Sequence, residues 1–173
     1  MRLRSRLTLL LFALLLGALP ARAQTAAPPA LTVTARNQTA AAEAARGTPR
    51  RDERVRGGDV LRYRLTFTNV GKQRVRGVEL KNPLPPQFRF VAGSAQASRE
   101  DAKVEYSIDG GKTFSPQPME EMVVDGRRVL RAASPEKYTH VRWTVGGWVA
   151  PGATVTAEFD ARLAASPRGT DAR

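Results

Sequence analysis

Apolar side chains recur at every second position in two stretches of this sequence, and this period of two limits the fold more than any other feature. In residues 60–68 the apolar positions are Leu61, Tyr63, Leu65 and Phe67. In residues 154–163 they are Val155, Ala157, Phe159, Ala161 and Leu163. A period of two places one face of a β-strand on a core and the other face in solvent. Both stretches are therefore predicted to be half-buried strands.

Shorter alternating stretches predict further strands at 31–35, 75–81, 88–90, 104–108 and 141–145. A hairpin is expected to set 122–124 against 129–130. Turns rich in Gly, Pro, Asn and Asp separate these stretches, and no long helical pattern interrupts them. The sequence therefore predicts an all-β fold, an immunoglobulin-like antiparallel β-sandwich of about seven to nine strands.

The first 23 residues have the features of a cleaved secretory signal peptide. Arginines near the start precede an apolar run at 7–19. Ala21 and Ala23 then supply the small-x-small pattern of a signal-peptidase site, so cleavage is expected after Ala23. The apolar run is too short to span a bilayer comfortably, and no second run follows it. We therefore expect a mature bacterial protein without a membrane span, located in the periplasm or outside the cell.

The rest of the chain divides into a lead-in, one domain and a tail. Residues 24–30 are rich in Ala and Pro and predict a flexible lead-in. The β-sandwich is expected over 31–164, with a mobile or weakly helical insertion at 37–58 whose alanine-rich part, 39–45, could form two helical turns. Residues 165–173 predict a disordered tail. The chain has no cysteine, so no disulfide staples this domain.

The chain is basic, with 28 Lys and Arg against 16 Asp and Glu and a net charge of +12. Residues 1–23 hold four arginines and no acid, which leaves 24 basic against 16 acidic residues, or +8, in the mature chain. An excess of this size favours anionic partners such as lipopolysaccharide, wall polymers or nucleic acid. Arginine is also an ordinary solubilising residue, and the charge is compatible with that role alone.

The arginines most open to a binding role follow one another in the sequence. Arg62 and Arg64 share the outward face of their predicted strand, and Arg74 and Arg76 lie just beyond the next turn. If the strands on either side of that turn pair as a hairpin, these charges gather into one patch that could hold phosphate or sulfate groups. Aromatic residues do not interleave with them, which argues against nucleic acid. Trp148, in a loop bounded by Gly and Pro, is the aromatic residue that could serve as a contact.

Residues 107–114 fit the Asp-box pattern, Ser-x-Asp-x-Gly-x-Thr-aromatic. The matching residues are Ser107, Asp109, Gly111, Thr113 and Phe114. The Asp side chain can cap turn amides, the Gly can adopt a backbone conformation that other residues resist, and the aromatic ring can hold the returning strand. The pattern occurs once per blade in sialidase-like propellers, whereas this chain holds it once. It therefore predicts a structural turn first and a glycan-related site second.

The sequence assembles no catalytic set. Nucleophilic hydrolysis needs a histidine beside the nucleophile, and the single one, His140, lies on the polar side of a predicted strand. Without cysteine there is no thiol chemistry, and zinc sites normally require Cys and His clusters. A weak calcium site built from the loop acids Asp101, Asp109 or Asp125 stays open, although they lack the spacing of a dedicated calcium loop. We expect no catalytic residue, no resident metal and no cofactor.

Four ordered segments resemble a known bacterial module. They are Gly58–Gly71 (GDVLRYRLTFTNVG), Val78–Pro85, Phe90–Ser94 and Pro151–Thr156. Together they look like the immunoglobulin-like conserved-repeat family catalogued as domain of unknown function eleven, found mainly in cell-surface and envelope proteins. The resemblance spans about residues 31–164 and implies the fold and an envelope location, but it brings no catalytic residues. Members often occur in tandem, and the single copy in this chain favours an accessory or binding protein over a spacer.

Three functions are open on the sequence alone. The first is a non-catalytic, exported envelope or secreted module that acts by protein–protein or protein–polymer contact, with an envelope protein or an anionic surface polymer as partner. The second is a glycan-binding or glycan-processing protein that uses the Asp-box hairpin. The third is an anionic-polymer binder that uses the Arg-rich face of the sheet.

Export is predicted to depend on the first 23 residues. Deleting them should leave the protein in the cytoplasm, because the targeting segment is lost. Cell fractionation with mass spectrometry of the N-terminus checks this, and the exported form should begin at Gln24. An exported protein that still carries residues 1–23 would contradict the predicted cleavage.

Overall fold

The computed structural model describes residues 30–52 and 54–165. The predicted signal peptide with Ala21 and Ala23 lies outside the described residues, as do the lead-in except residue 30 and the tail except residue 165. The all-β prediction is confirmed for the described part, which consists mostly of antiparallel strands and contains one α-helix.

Ten strands, one α-helix and one short 3-10 helix follow one another in these residues. The strands are β1 (Leu31–Asn37), β2 (Val60–Thr68), β3 (Glu79–Pro83), β4 (Phe88–Phe90), β5 (Gln96–Ala97), β6 (Ala102–Ser107), β7 (Met119–Val124), β8 (Arg127–Ala132), β9 (His140–Val145) and β10 (Thr154–Leu163). Helix α1 (Gln38–Ala45) follows β1, and the 3-10 helix (Pro135–Lys137) precedes β9. Over residues 30–52 and 54–165, no helix has the length and apolar character needed to cross a lipid bilayer.

The first sheet has the order β1-β2-β10-β4, and the short β5 also pairs with β10. All of these pairs are antiparallel, and at the centre Leu65 lies opposite Ala157 and Tyr63 lies opposite Phe159. Leu65, Ala157 and Phe159 are fully buried. The alternation in the sequence accounts for this, since it places the apolar residues of β2 and β10 on the same inner face.

The second sheet has the order β3-β9-β6 and is also antiparallel. Strands β7 and β8 form a third sheet of two strands, so the predicted hairpin is confirmed and is longer than expected. Its loop is Asp125-Gly126, whose φ angles of 50° and 74° suit the type I′ turn that joins two strands through two residues.

The first and second sheets share one apolar core between their inner faces. Trp143 of β9 packs against Phe159 of β10, with 6.1 Å between the ring centroids. Phe159 also stacks on Tyr63 at 5.0 Å, and Phe90 of the first sheet meets Tyr106 of the second at 5.1 Å. Because each aromatic side chain buries a large apolar area, this cluster supplies much of the contact between the sheets.

The predicted strand at 75–81 has the wrong bounds, and the hairpin considered for it does not form. The regular strand is β3, which begins at Glu79 and ends at Pro83, whereas Val75 makes only an isolated bridge to Val149. β3 tolerates its terminal proline because it is an edge strand. β3 pairs with β9, while β2 pairs with β1 and β10, so β2 and β3 belong to different sheets.

Asn69 explains why the chain crosses between the sheets after β2. Its buried side chain donates to the carbonyl oxygens of Gln73 and Val149, at 2.8 and 2.9 Å. Its side-chain oxygen accepts from the backbone N–H of Gly71 at 3.1 Å. These bonds satisfy the buried amide and close the turn against the segment that precedes β10, which directs the chain away from a hairpin.

The insertion between β1 and β2 contains α1 and a loop that is bonded to the start of β2. Asn37 caps α1, because its side chain accepts from the N–H of Ala40 at 2.9 Å. Arg50 in the loop pairs with Asp59 at 2.6 Å and with Glu43 of α1 at 2.5 Å. The hydrogen bonds from Arg50, above all, hold the pKa of the buried Asp59 carboxyl well below its usual range. One guanidinium therefore ties the helix and the loop to β2.

Replacing Phe159 with alanine is predicted to destabilise the domain by about 3–5 kcal/mol, because it removes a fully buried ring and leaves a cavity. Urea unfolding followed by circular dichroism measures the change. Val123→Ala, at a position that is 71% exposed, is the control and should change the free energy of unfolding by less than about 0.5 kcal/mol. If Phe159→Ala costs no more than the control, the ring does not hold the sheets together.

Candidate functional site

The Asp-box residues form a closed turn. The carboxylate of Asp109 accepts from the backbone N–H groups of Lys112 and Thr113, both at 3.0 Å, and from the Thr113 hydroxyl at 2.6 Å. The Ser107 hydroxyl donates to Asp109 at 2.7 Å and accepts from the N–H of Gly111 at 2.9 Å. Gly111 has a φ of +82°, which favours glycine at this position. Both carboxylate oxygens of Asp109 are therefore used within the turn.

Phe114 of the Asp box lies against β9 of the second sheet. The guanidinium carbon of Arg142 is 4.3 Å from the centroid of its ring, and the ring of His140 meets it edge-on at 6.4 Å. A Cβ atom at Gly111 would come within 3.1 Å of the His140 ring, so the turn packs closely on this strand. Burial lowers the pKa of His140, and the nearby charge of Lys81 acts in the same direction. The histidine thus serves as a packing surface for the turn.

Arg62 and Arg64 are paired with acids on the outer face of the first sheet. Arg62 donates twice to Asp160, at 2.8 and 2.9 Å, and Arg64 forms an ion pair with Glu158. The register of β2 and β10 places each arginine directly opposite its acid. Opposite charges that face each other across two strands stabilise the sheet, so these arginines have a structural role without any external anion.

Trp148 is half exposed and carries a cation over one face of its ring. The guanidinium of Arg74 lies 4.4 Å from the ring centroid, and the Trp148 side chain is 49% exposed. Arg99 donates to the Trp148 carbonyl at 3.0 Å. Such a cation–π contact stabilises an exposed aromatic ring by about 0.5–1 kcal/mol. Trp148 therefore lies at the surface, with one ring face open to a partner.

The predicted gathering of the arginines into one patch is not observed. Arg74 and Arg76 flank the bridge to Val149, and Asn69 at the end of β2 binds that same residue. Arg62 lies about seven residues before Asn69, which corresponds to roughly 20 Å along an extended strand. The patch depended on a hairpin between β2 and the next strand, and these strands lie in different sheets.

The hairpin Met119–Ala132, which we call the arm, forms a separate element. Within the part of the chain that the structure describes, it pairs with neither of the other sheets. Directly opposed residues of an antiparallel pair share a face, and Leu130 opposes Glu121, midway between Met119 and Val123 on β7. Met119, Val123 and Leu130 therefore lie on one face, which we call the ridge, where they are 50%, 71% and 67% exposed. Contiguous exposed apolar side chains of this kind mark contact surfaces.

The base of the arm is fixed to the rest of the domain. The N–H of Ala133 donates to the carbonyl of Pro118 at 2.9 Å, and both residues are buried. Lys137 of the 3-10 helix pairs with Glu120 at 2.5 Å. Because the base is held on both strands, the ridge is presented to solvent in a defined position.

Sequence reasoning predicted the hairpin and missed the ridge. Alternate apolar residues are the ordinary signature of a core-facing strand, and neither β7 (MEEMVV) nor β8 (RRVLRA) carries it. The distinguishing signal is charge on the same face: Val123 opposes Arg128, and Leu130 opposes Glu121. A face that mixes charged and apolar side chains does not fit a dry core, which marks it as a surface.

Two of the three acids considered for a calcium site are bonded within the protein, and the third lies on the arm. Asp101 pairs with Arg99 at 2.7 Å, Asp109 caps its own turn, and Asp125 lies in the loop of the arm. Among residues 30–52 and 54–165, no group of three or more His, Cys, Asp or Glu side chains could hold a metal ion.

A cleft of about 540 Å³ lies between β1, α1 and the loop that follows α1. Its apolar lining includes Ala35 and Leu61. Its polar lining consists of Arg36, Asn37, Arg50 and Asp52. Asn37 and Arg50 are both bonded to Asp59, at 2.8 and 2.6 Å, and are therefore engaged in holding the insertion.

Comparison of the sequence with protein-family models finds no match, and comparison with curated proteins finds none either. The resemblance to the conserved-repeat family therefore stays a prediction.

The Asp109 carboxylate is predicted to stabilise the domain in a pH-dependent way. Hydrogen bonds, first of all from the side chain of Thr113, hold the pKa of Asp109 well below its usual range. A carboxyl whose pKa is lower in the folded than in the unfolded protein stabilises the fold above its unfolded pKa of about 4, and this contribution is lost as the pH falls toward the folded value. Asp109→Asn should therefore lower the melting temperature at pH 7, and the difference from wild type should shrink below about pH 4.

Thermal unfolding followed by circular dichroism at neutral and acidic pH measures this difference. Asp125→Asn is the matched control, because Asn also suits the positive φ of Asp125 in the loop of the arm. Equal effects of the two substitutions, or an Asp109→Asn effect that grows toward acid pH, would argue against the capping role.

Proposed function

We propose that this protein is a non-catalytic, exported immunoglobulin-like β-sandwich module of the cell envelope that acts by protein–protein contact through the ridge of its arm. The observation that carries the proposal is the exposure of Met119, Val123 and Leu130 on one face of a hairpin. Two antiparallel sheets that share one apolar core support the immunoglobulin-like part of this proposal. The signal-peptide pattern of residues 1–23 supports export.

A partner bound to the ridge would lower the free energy of the arm. An isolated hairpin of two strands is marginally stable in water and ordinarily needs a third packing surface. Burying the exposed parts of the three ridge side chains would contribute about 1–2 kcal/mol each. A partner that covers the ridge would therefore stabilise both the complex and the arm.

The charges around the ridge favour a protein over an anionic polymer. Glu121 and Arg128 lie on the same face among the ridge side chains and pair with each other at 3.6 Å. A face with apolar side chains and charges of both signs suits a protein partner of complementary charge. A polyanion is ordinarily bound by a uniformly basic surface.

The other two functions have less support. Both carboxylate oxygens of Asp109 are used within the Asp-box turn, so this turn presents no free carboxylate to a glycan hydroxyl. On the Arg-rich face, Arg62 and Arg64 are paired with acids and lie away from Arg74 and Arg76. The ridge therefore carries the proposed contact.

Photo-crosslinking in cells that export the protein tests this proposal. A benzoylphenylalanine introduced at Leu130 should give a discrete adduct with another protein, because this position is 67% exposed in the ridge. Adding Val123→Asp should abolish the adduct, since it replaces an apolar contact with a charged side chain that the partner would have to desolvate.

The same photo-crosslinker at Val70, which is 55% exposed in the turn after β2, is the matched control. We expect no adduct there. The proposal fails if position 130 gives none, if both positions give the same adducts, or if Val123→Asp leaves the adduct unchanged.

A further inference from the structure

The edge of the first sheet at β1 is open along its length. β1 pairs with β2 on one side, and among the described residues no backbone group bonds to its other side. On the inner face, Leu31 and Val33 are 42% and 49% exposed, although Phe67 and Leu65 opposite them on β2 belong to the core or pack against it. β1 thus presents an unpaired backbone together with apolar side chains that the described domain leaves uncovered.

The hydrogen-bond pattern identifies the residues whose backbone groups face the open side. The N–H of Thr68 donates to the carbonyl of Ala30 at 2.8 Å, so Ala30 directs this group toward β2. Successive residues of a strand direct their backbone groups to opposite sides. The outward-facing groups are therefore those of Leu31, Val33 and Ala35, and also those of Asn37, which caps α1.

Several other strand edges of the described domain carry features that oppose pairing, and β1 does not. β8 has three arginines, β3 ends in Pro83, and β4 and β5 have only three and two residues. Charge, proline and short length each discourage the addition of a strand. β1 has seven residues and a single charge, Arg36, near its end. β1 therefore lacks the features that discourage pairing at these edges.

We propose that β1 pairs in antiparallel fashion with β1 of a second copy of this chain, which joins two first sheets across a twofold axis. With Val33 on the axis, it opposes the partner's Val33, Leu31 opposes the partner's Ala35, and Thr32 opposes the partner's Thr34. Every outward N–H and C=O of Leu31, Val33 and Ala35 then has a partner, which gives about six hydrogen bonds between the copies.

The side chains fit the same register. Apolar residues meet apolar residues on the inner face, and threonines meet threonines on the outer face. Arg36 opposes the partner's Ala30, so no like charges face each other directly. A second copy therefore satisfies both the backbone and the side chains of β1. This pairing is independent of the contact proposed for the ridge.

Sedimentation of the purified exported protein over a wide range of concentration tests the proposal, and it should show a monomer–dimer equilibrium. Val33→Lys places two like charges on the axis and should weaken the dimer at least about tenfold. Val33→Pro removes an outward N–H without removing a bond between β1 and β2, so it should also dissociate the dimer and leave the fold intact. Circular dichroism checks the fold of each variant.

Val123→Lys on the ridge is the matched control and should leave the dimer unchanged, since Val123 is also exposed but lies on the arm. A wild-type protein that stays monomeric overturns the proposal, even if β1 pairs with another protein. A dimer that survives Val33→Lys, or that Val123→Lys dissociates equally, also overturns it.

Cysteine substitution tests the register, because the chain has no cysteine of its own. Val33→Cys should form a disulfide between the copies, since directly opposed residues in a hydrogen-bonded pair have Cα atoms about 5.5 Å apart. Arg36→Cys is the control and should not, because the two substituted positions would lie about 20 Å apart along the strands. Disulfide formation at position 36 but not at 33 would refute this register.

Discussion

The packing of Trp143 against Phe159 is the contact on which the two-sheet structure depends. Trp143 lies on β9, the central strand of the second sheet, and Phe159 lies on β10, an inner strand of the first sheet. Both side chains are almost completely buried. Because the rings meet between β9 and β10, they fix the separation of the sheets and the position of the strands on either side. The remaining features, which are the helical insertion, the Asp-box turn and the arm, are attached around this core. Each of them is held by a few polar contacts at its base.

The strands were predictable where burial is a local property. In β2, β9 and β10 the apolar residues alternate over six or more positions, and a strand with one face on a core must show this pattern. Alternation identifies the buried face but carries no information about the neighbouring strand. The bridge between Val75 and Val149 and the bonds of Asn69 join residues far apart in the sequence, so the crossing between the sheets was not predictable from residues near the turn.

The candidate site likewise has a part that depends on neighbouring residues and a part that depends on distant ones. The Asp-box turn was predictable because all its bonds lie within a few residues, from Ser107 to Thr113. The ridge was not, because the exposure of Val123 and Leu130 depends on what the rest of the domain leaves uncovered. The open edge at β1 was not predictable for the same reason. Leu31 and Val33 have the pattern of a buried strand, and only the extent of the second sheet decides that they stay half exposed.

The position of β10 in the sequence has a consequence for how the chain folds. The bond between Arg62 and Asp160 joins residues 98 positions apart, and β10 is the strand that holds β2, β4 and β5 together. During synthesis, β2 is complete long before β10 emerges, so the first sheet cannot close around its centre until the last strand is made. Native contacts at such long range slow folding, because the entropy of closing the loop is lost before the contacts form. The nascent chain therefore carries an incomplete first sheet, with part of its core uncovered, until β10 has been made.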